Sequence, residues 1–142
     1  MSLKITVLVD NIAEEPLLVE HGFSALMEIG KEKILFDAGQ NDALFYNSEK
    51  LGLSLSDIDK LVISHGHYDH VGGVPDIMEK NPNLILLANE KILGSHYSLK
   101  DPAQPKDIGL STSLKDFIRS LPDNRKGWLE KPLISTYYGL TG

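Results

Sequence analysis

Apolar and polar positions alternate through "KITVLVD" (residues 4–10). That is the period of a half-buried strand, and the β-branched content supports it. "FSALMEIGKEKILFDAG" (23–39) reads as two strands joined by a hairpin near Gly30, Lys31 and Glu32, with Gly30 supplying the permissive backbone of the turn. Residues 41–52 read as a helix: Asn41 is the expected N-cap, Leu44, Ser48 and Leu51 share a face, and Gly52 stands where a C′ glycine belongs. "KLVIS" (60–64) is a short buried strand, "VPDIMEK" (74–80) a helix with Pro75 in its first turn, and "NLILLA" (83–88) another strand. "NEKIL" (89–93) begins a short helix, and 95–109, with Pro102, Pro105 and Gly109, reads as a long loop. Residues 111–121 carry a helical period through Leu114, Phe117, Ile118 and Leu121, and "PLIST" (132–136) is a last strand candidate. Strands alternating with helices after residue 40 predict an α/β layered fold, and the N-terminal hairpin makes its sheet mixed.

Composition narrows the class. A chain of 142 residues, 42% hydrophobic and 24% charged, is expected to form one domain over 1–142. Its apolar runs are too short to cross a bilayer, and its start lacks a basic segment followed by a long apolar one, so the expected location is cytoplasmic, with no membrane partner. Zero cysteines exclude disulfides, thiolate ligands and a thiol nucleophile. Net charge is −6, split into −9 over residues 1–90 and +3 over 91–142. The total argues against nucleic acid as a partner, because counterion release needs a large positive face. Ordinary charge scatter on a solvated surface is the simpler explanation of that split; the other is that the basic end meets an anionic small-molecule substrate.

The chemistry concentrates in "ISHGHYDHVGG" (63–73), where three of the five histidines and an aspartate occupy six positions at the carboxyl end of a strand. In extended backbone, residues two apart project to one side, so His65 and His67 can aim at one point. Asp69 and His70 reach a neighbouring point once the chain turns, and Gly72 and Gly73 allow a tight turn. Neutral imidazole and carboxylate suit Zn²⁺, and also Fe²⁺ or Mn²⁺. The spacing suits two ions, His65 and His67 on one, Asp69 and His70 on the other. A metal pair can hold a hydroxide nucleophile and stabilise an oxyanion. The competing reading is a histidine-rich surface loop. This H-x-H-x-D-H pattern arises by chance in roughly one such chain in two thousand.

"SHGHYDHVGG" resembles the signature loop of the metallo-β-lactamase superfamily, and "ILFDAG" (34–39) resembles the aspartate-bearing strand before it. With "VLVDN", "LLVEHGFSALMEI", "ILFDAGQNDALFYNSEKLGL", "DIDKLVISHGHYDHVGGV" and "IGLS", the chain is similar to the branch related to a dihydropterin–ribofuranosylaminobenzene phosphate synthase, described as metal-dependent hydrolases. The resemblance implies an αβ/βα sandwich with a dinuclear metal site between two sheets. It implies His65 and His67 as ligands of the first ion, Asp69 and His70 as ligands of the second, and Asp69 as the group that orients the attacking hydroxide. Alone, Asp37 reads as a turn aspartate before Gly39; the resemblance makes it the brace of the ligand loop. Asn11 and His21 fall in loops that border the site in that branch. His96, with Tyr97, is either a lining residue or an exposed loop residue.

The resemblance covers the N-terminal half of the family's fold. Its second half supplies a third histidine, a bridging aspartate and a last histidine, for which this chain has no counterpart, so the ligand set is expected to be incomplete. The expected activity is hydrolysis of an ester, amide or phosphoester by a metal-activated water, most simply with two Zn²⁺. The alternative is a half-length, non-catalytic subunit or binding module. Either way "KITVLVD", "LVIS" and "LILL" are too apolar to stay wet, so the chain is expected to be a homo-oligomer or to meet a missing C-terminal half.

Overall fold

A computed structural model describes residues 2–130. Its main sheet is mixed and six-stranded, in the order β1-β2-β3-β4-β5-β8. In the N-terminal half of that order β1 (Leu3–Val9), β2 (Ser24–Ile29) and β3 (Glu32–Phe36) run antiparallel, β2 and β3 forming the expected hairpin. Gly30 turns the hairpin at φ +58°, in the left-handed region open to glycine. From β3 onward the pairing is parallel, through β4 (Lys60–Val62) and β5 (Ile85–Ala88) to β8 (Lys126–Trp128). Parallel neighbours need crossovers. These are supplied by α1 (Ala43–Lys50), α2 (Val74–Lys80) and α3 (Thr112–Ser120).

One sheet face is the core. Leu8, Leu26, Leu35, Leu61 and Leu86 form a single buried cluster with Leu44 of α1, Ile77 and Met78 of α2, and Ile118 of α3. On the other face Leu3, Ile5 and Val7 remain 59%, 57% and 47% exposed. Through the strand register they continue into the partly exposed Ile29 and Met27, then Ile34 and Phe36, Val62 and Leu87. Of the stretches expected to need cover, β1 leaves an exposed apolar row, whereas Leu61, Ile63, Leu84 and Leu86 are already buried in the chain's own core. Among the described residues, no helix is long and apolar enough to cross a membrane.

Three local readings are corrected. The N-cap of α1 is Asp42, not Asn41, and its side chain makes no cap bond. The helix start is instead satisfied from a distance: the Glu20 carboxylate accepts from the backbone N–H groups of Gln40, Asn41 and Ala43 at 2.9, 3.0 and 3.3 Å. A carboxylate there also opposes the positive end of the helix dipole. Leu51 is exposed; Asn47 takes the buried place beside Leu44 and Ser48, binding the backbone of Leu8 and Leu18. The stretch 95–109 is not wholly loop, because β6 (Tyr97–Ser98) and β7 (Lys106–Asp107) pair as a small antiparallel ribbon. The strand proposed at 132–136 lies outside the described residues.

The sheet's far edge is tied by two polar side chains. Arg125 donates from Nε to Leu84 O at 3.2 Å, and from Nη2 to Met78 O and Asn81 O at 3.1 and 2.5 Å. Asn81, 4% exposed, donates to Leu55 O and Ile77 O and accepts from Ile58 N–H. Buried backbone groups stripped of such a partner lose about 1–3 kcal/mol. Asn81→Ala is therefore expected to destabilise the fold by about 3 kcal/mol, read as a lowered midpoint in urea unfolding.

Candidate metal centre

β4 ends at Val62, and the chain runs on, still extended, into the histidine loop. His67 keeps extended angles (φ −95°, ψ 143°), after which Tyr68–His70 tighten into a 3₁₀ turn. Alternation and turn together bring the three rings into contact. His65 and His67 lie edge to face with ring centroids 4.4 Å apart, and the turn brings His70 back to 4.2 Å from His65. Asp69 is buried, with Oδ2 3.7 Å from His70 Nε2 and 3.0 Å from His21 Nε2. All four residues named from the motif therefore gather at the carboxyl end of a central strand.

Gly72 has a different reason from the one expected. It makes a close approach: a Cβ there would sit 2.0 Å from Gln40 O, and Gly72 N–H donates to Gly39 O at 2.8 Å. The loop is pressed against the segment after β3, and only glycine allows it.

That segment begins with Asp37, which is 1% exposed and held at φ +58°, a conformation rare outside glycine. Its backbone is clamped by Asp37 N–H to Val62 O at 2.8 Å and by Ser24 Oγ–H to Asp37 O at 2.7 Å. Oδ1 accepts from Ser64 N–H at 2.7 Å; Oδ2 accepts from Ser64 Oγ at 2.6 Å and from His70 Nδ1 at 2.8 Å. Ser64 Oγ in turn lies 2.7 Å from His65 Nδ1. Asp37, His65 and His70 each bring one donor atom within 4.8 Å of the others.

Ser64 was not singled out from the sequence. A serine at a strand end looks like any other, and only its place directly before the first histidine hinted at a role.

The electrostatics favour neutral rings. Burial pushes His65 down to about 4, with the neighbouring His70 and His67 adding to the effect. Burial, then His96, lowers His67 as well. A neutral imidazole is the form that binds a cation.

The residues at the border divide. His21 is largely exposed but touches Asp69, as above. Asn11 is exposed, and its Oδ1 accepts from Gly22 N–H at 3.1 Å, so it holds the loop that carries His21. His96 stands in the wall of a cavity of about 540 Å³ that opens beside His65 and His67, together with Lys91, Ile92 and Tyr97. Its ring centroid is 5.7 Å from that of His67, and its Nε2–H donates to Lys91 O at 3.0 Å. The ribbon that carries it is stitched to the histidine loop by Tyr68 N–H to Ile108 O at 2.9 Å.

Residues 18–137 match the sequence profile of the metallo-beta-lactamase superfamily. The chain belongs to that superfamily. An uncharacterized protein of Methanocaldococcus jannaschii is 36% identical over 84% of this chain and 45% of its own length. A 7,8-dihydropterin-6-methyl-4-(beta-D-ribofuranosyl)-aminobenzene-5'-phosphate synthase of the same organism is 32% identical over 84% of this chain and 43% of its own. A crystal structure described as a metal-dependent hydrolase of the beta-lactamase superfamily aligns with TM-score 0.66 at 23% identity, covering 92% of this chain and 43% of that one. At that identity the likeness speaks for the fold. The chain thus spans about half the length of the curated relatives it matches.

Removing the Asp37 carboxylate would leave a buried Ser64 N–H unsatisfied and the His70 ring unanchored. Asp37→Ala is expected to cost about 3 kcal/mol in urea unfolding, since bonds to a charged acceptor contribute about 1.5–3 kcal/mol each.

Proposed function

We propose that this protein is a metal-dependent hydrolase, acting on a small ester, amide or phosphoester, whose His65, His67, Asp69 and His70 hold divalent cations. The observation that carries the reading is the convergence of those four groups. Two ligands about 2.1 Å from one tetrahedral ion stand about 3.4 Å apart, close to the separation of His70 Nε2 and Asp69 Oδ2. The donor set of imidazoles and carboxylate suits Zn²⁺ first, with Fe²⁺ or Mn²⁺ as the alternatives. We assign Asp37 to bracing, because its oxygens already accept three protein hydrogen bonds. When bound, a pair of such ions supplies an activated water and charge stabilisation at the reacting centre.

The chain's own residues do the rest. Asp69 orients the attacking oxygen while His21 holds the exposed side of its carboxylate. Substrate enters through the cavity beside His65 and His67, where Lys91 and His96 offer cationic and hydrogen-bonding groups. The phosphate in the name of the synthase relative supports an anionic substrate, the class that suits this wall.

The ligand count favours a second reading. Two protein ligands per ion is short of the three that a catalytic zinc takes. That shortfall, with the open sheet face, supports a half-site completed by a second copy of this chain or by a partner supplying the remaining half, the isolated chain being a non-catalytic subunit.

Assays on generic phosphodiester and lactone substrates with added Zn²⁺ or Mn²⁺ separate the two. The enzyme reading expects metal-dependent turnover that His67→Ala lowers by more than about a hundredfold. A stable assembly without turnover selects the subunit reading. Light scattering is expected to show a species larger than one chain, and a well-behaved monomer would count against the sheet face as an interface. Metal content after dialysis is expected to fall below one ion per chain. Tightly held stoichiometric zinc would mean that the ligand set is already complete.

A further inference from the structure

We propose that Ser64 is a positioning residue: its hydroxyl relays the Asp37 carboxylate to His65 and fixes which nitrogen of that imidazole carries the proton. The argument is one of donor and acceptor direction. A carboxylate only accepts, whereas a serine hydroxyl has one proton to give. Ser64 Oγ lies 2.6 Å from Asp37 Oδ2 and 2.7 Å from His65 Nδ1, so its proton points to Asp37. The bond to His65 then requires Nδ1–H as the donor and Ser64 Oγ as the acceptor. A neutral ring with its proton on Nδ1 has Nε2 as its unprotonated nitrogen.

Asp37 makes the same choice directly for His70, whose Nδ1 lies 2.8 Å from Oδ2. In its neutral form the His70 ring then has Nε2 unprotonated, on the side of Asp69. One carboxylate therefore sets two imidazoles, one by contact and one through Ser64. The hydroxyl is 4% exposed at residue level, so water does not readily take its place. The hydrogen bond made by one ring nitrogen decides the state of the other, which is how outer groups govern metal ligands.

The relay itself is a property of the metal-free fold. Its consequence for ion binding rests on the reading proposed above. Long-range ¹H–¹⁵N spectra of the full chain without metal test the relay directly. Wild-type His65 and His70 are both expected to show protonated Nδ1 and bare Nε2. In Ser64→Ala, His65 is expected to move toward the Nε2–H form while His70 stays as it was. Ser64→Thr, which keeps the hydroxyl, is expected to restore His65. Protonated Nε2 at His65 in the wild type, or an unchanged His65 in Ser64→Ala, would overturn the proposal. If Ser64→Ala does not fold, the wild-type His65 spectrum still decides.

Zinc titration is the second arm. Ser64→Ala is expected to weaken zinc binding about tenfold. Expected tautomers in a wild type that takes up no zinc would uphold the relay and sink the metal reading instead.

Discussion

The carboxylate of Asp37 is the point through which the sheet and the histidine loop are joined. It sits at the end of β3 with positive φ, a conformation that costs a non-glycine residue about 1–2 kcal/mol. Three hydrogen bonds to its oxygens, each worth about 1.5–3 kcal/mol when the acceptor is charged, more than offset that cost. The unusual backbone is what aims the carboxylate across β4 rather than along its own strand. Ser24 and Val62 hold the backbone in place from the two neighbouring strands. Strand pairing, loop position and ring orientation thus converge on one side chain.

The two faces of the sheet have different consequences for this centre. The helical face is a closed leucine-rich core and gives the rigid platform from which the histidine loop departs. The opposite face is apolar and open along β1, with Ile5 and Val7 about half exposed. The relatives matched are about twice as long as this chain. Under the proposed reading, the shortage of ligands and the shortage of cover are one fact: both would be remedied by a second layer laid against this side.

Much of this was legible because it is written locally. Alternation in residues 4–10, the glycine hairpin at Gly30 and the helical period of 111–121 are short-range signals, and each element formed where it was expected. Imidazoles at two-residue spacing on extended backbone had to share a side. The illegible parts act at a distance. Nothing near Glu20 announces a cap for a helix more than twenty residues later, and Asn47 looked no more buried than Leu51. β8 was missed because Lys126-Gly127-Trp128 has a glycine at its centre and no alternation; its place comes from pairing with β5 and from the grip of Arg125 on α2. Ser64 was unreadable for the same reason, since its importance lies in reaching Asp37, 27 positions away.

The electrostatic sense of the cluster follows from that geometry. Three imidazoles packed within about ring-contact distance would repel one another if charged, and burial already holds the central one, His65, neutral above about pH 4. Neutral rings contribute lone pairs but no positive charge. The buried carboxylates of Asp37 and Asp69 stand among them, and among the described residues the exposed His21 and the ring of His70 lie against Asp69 in ion-pair range. Such a pocket is a concentration of electron-pair donors at a partly dry sheet edge, where charges are poorly screened. Under the proposed reading, a divalent cation is what would bring these unlike donors to a common distance. On the same reading, the crowding of donors that is costly in an isolated surface loop is offset by the ion they would hold.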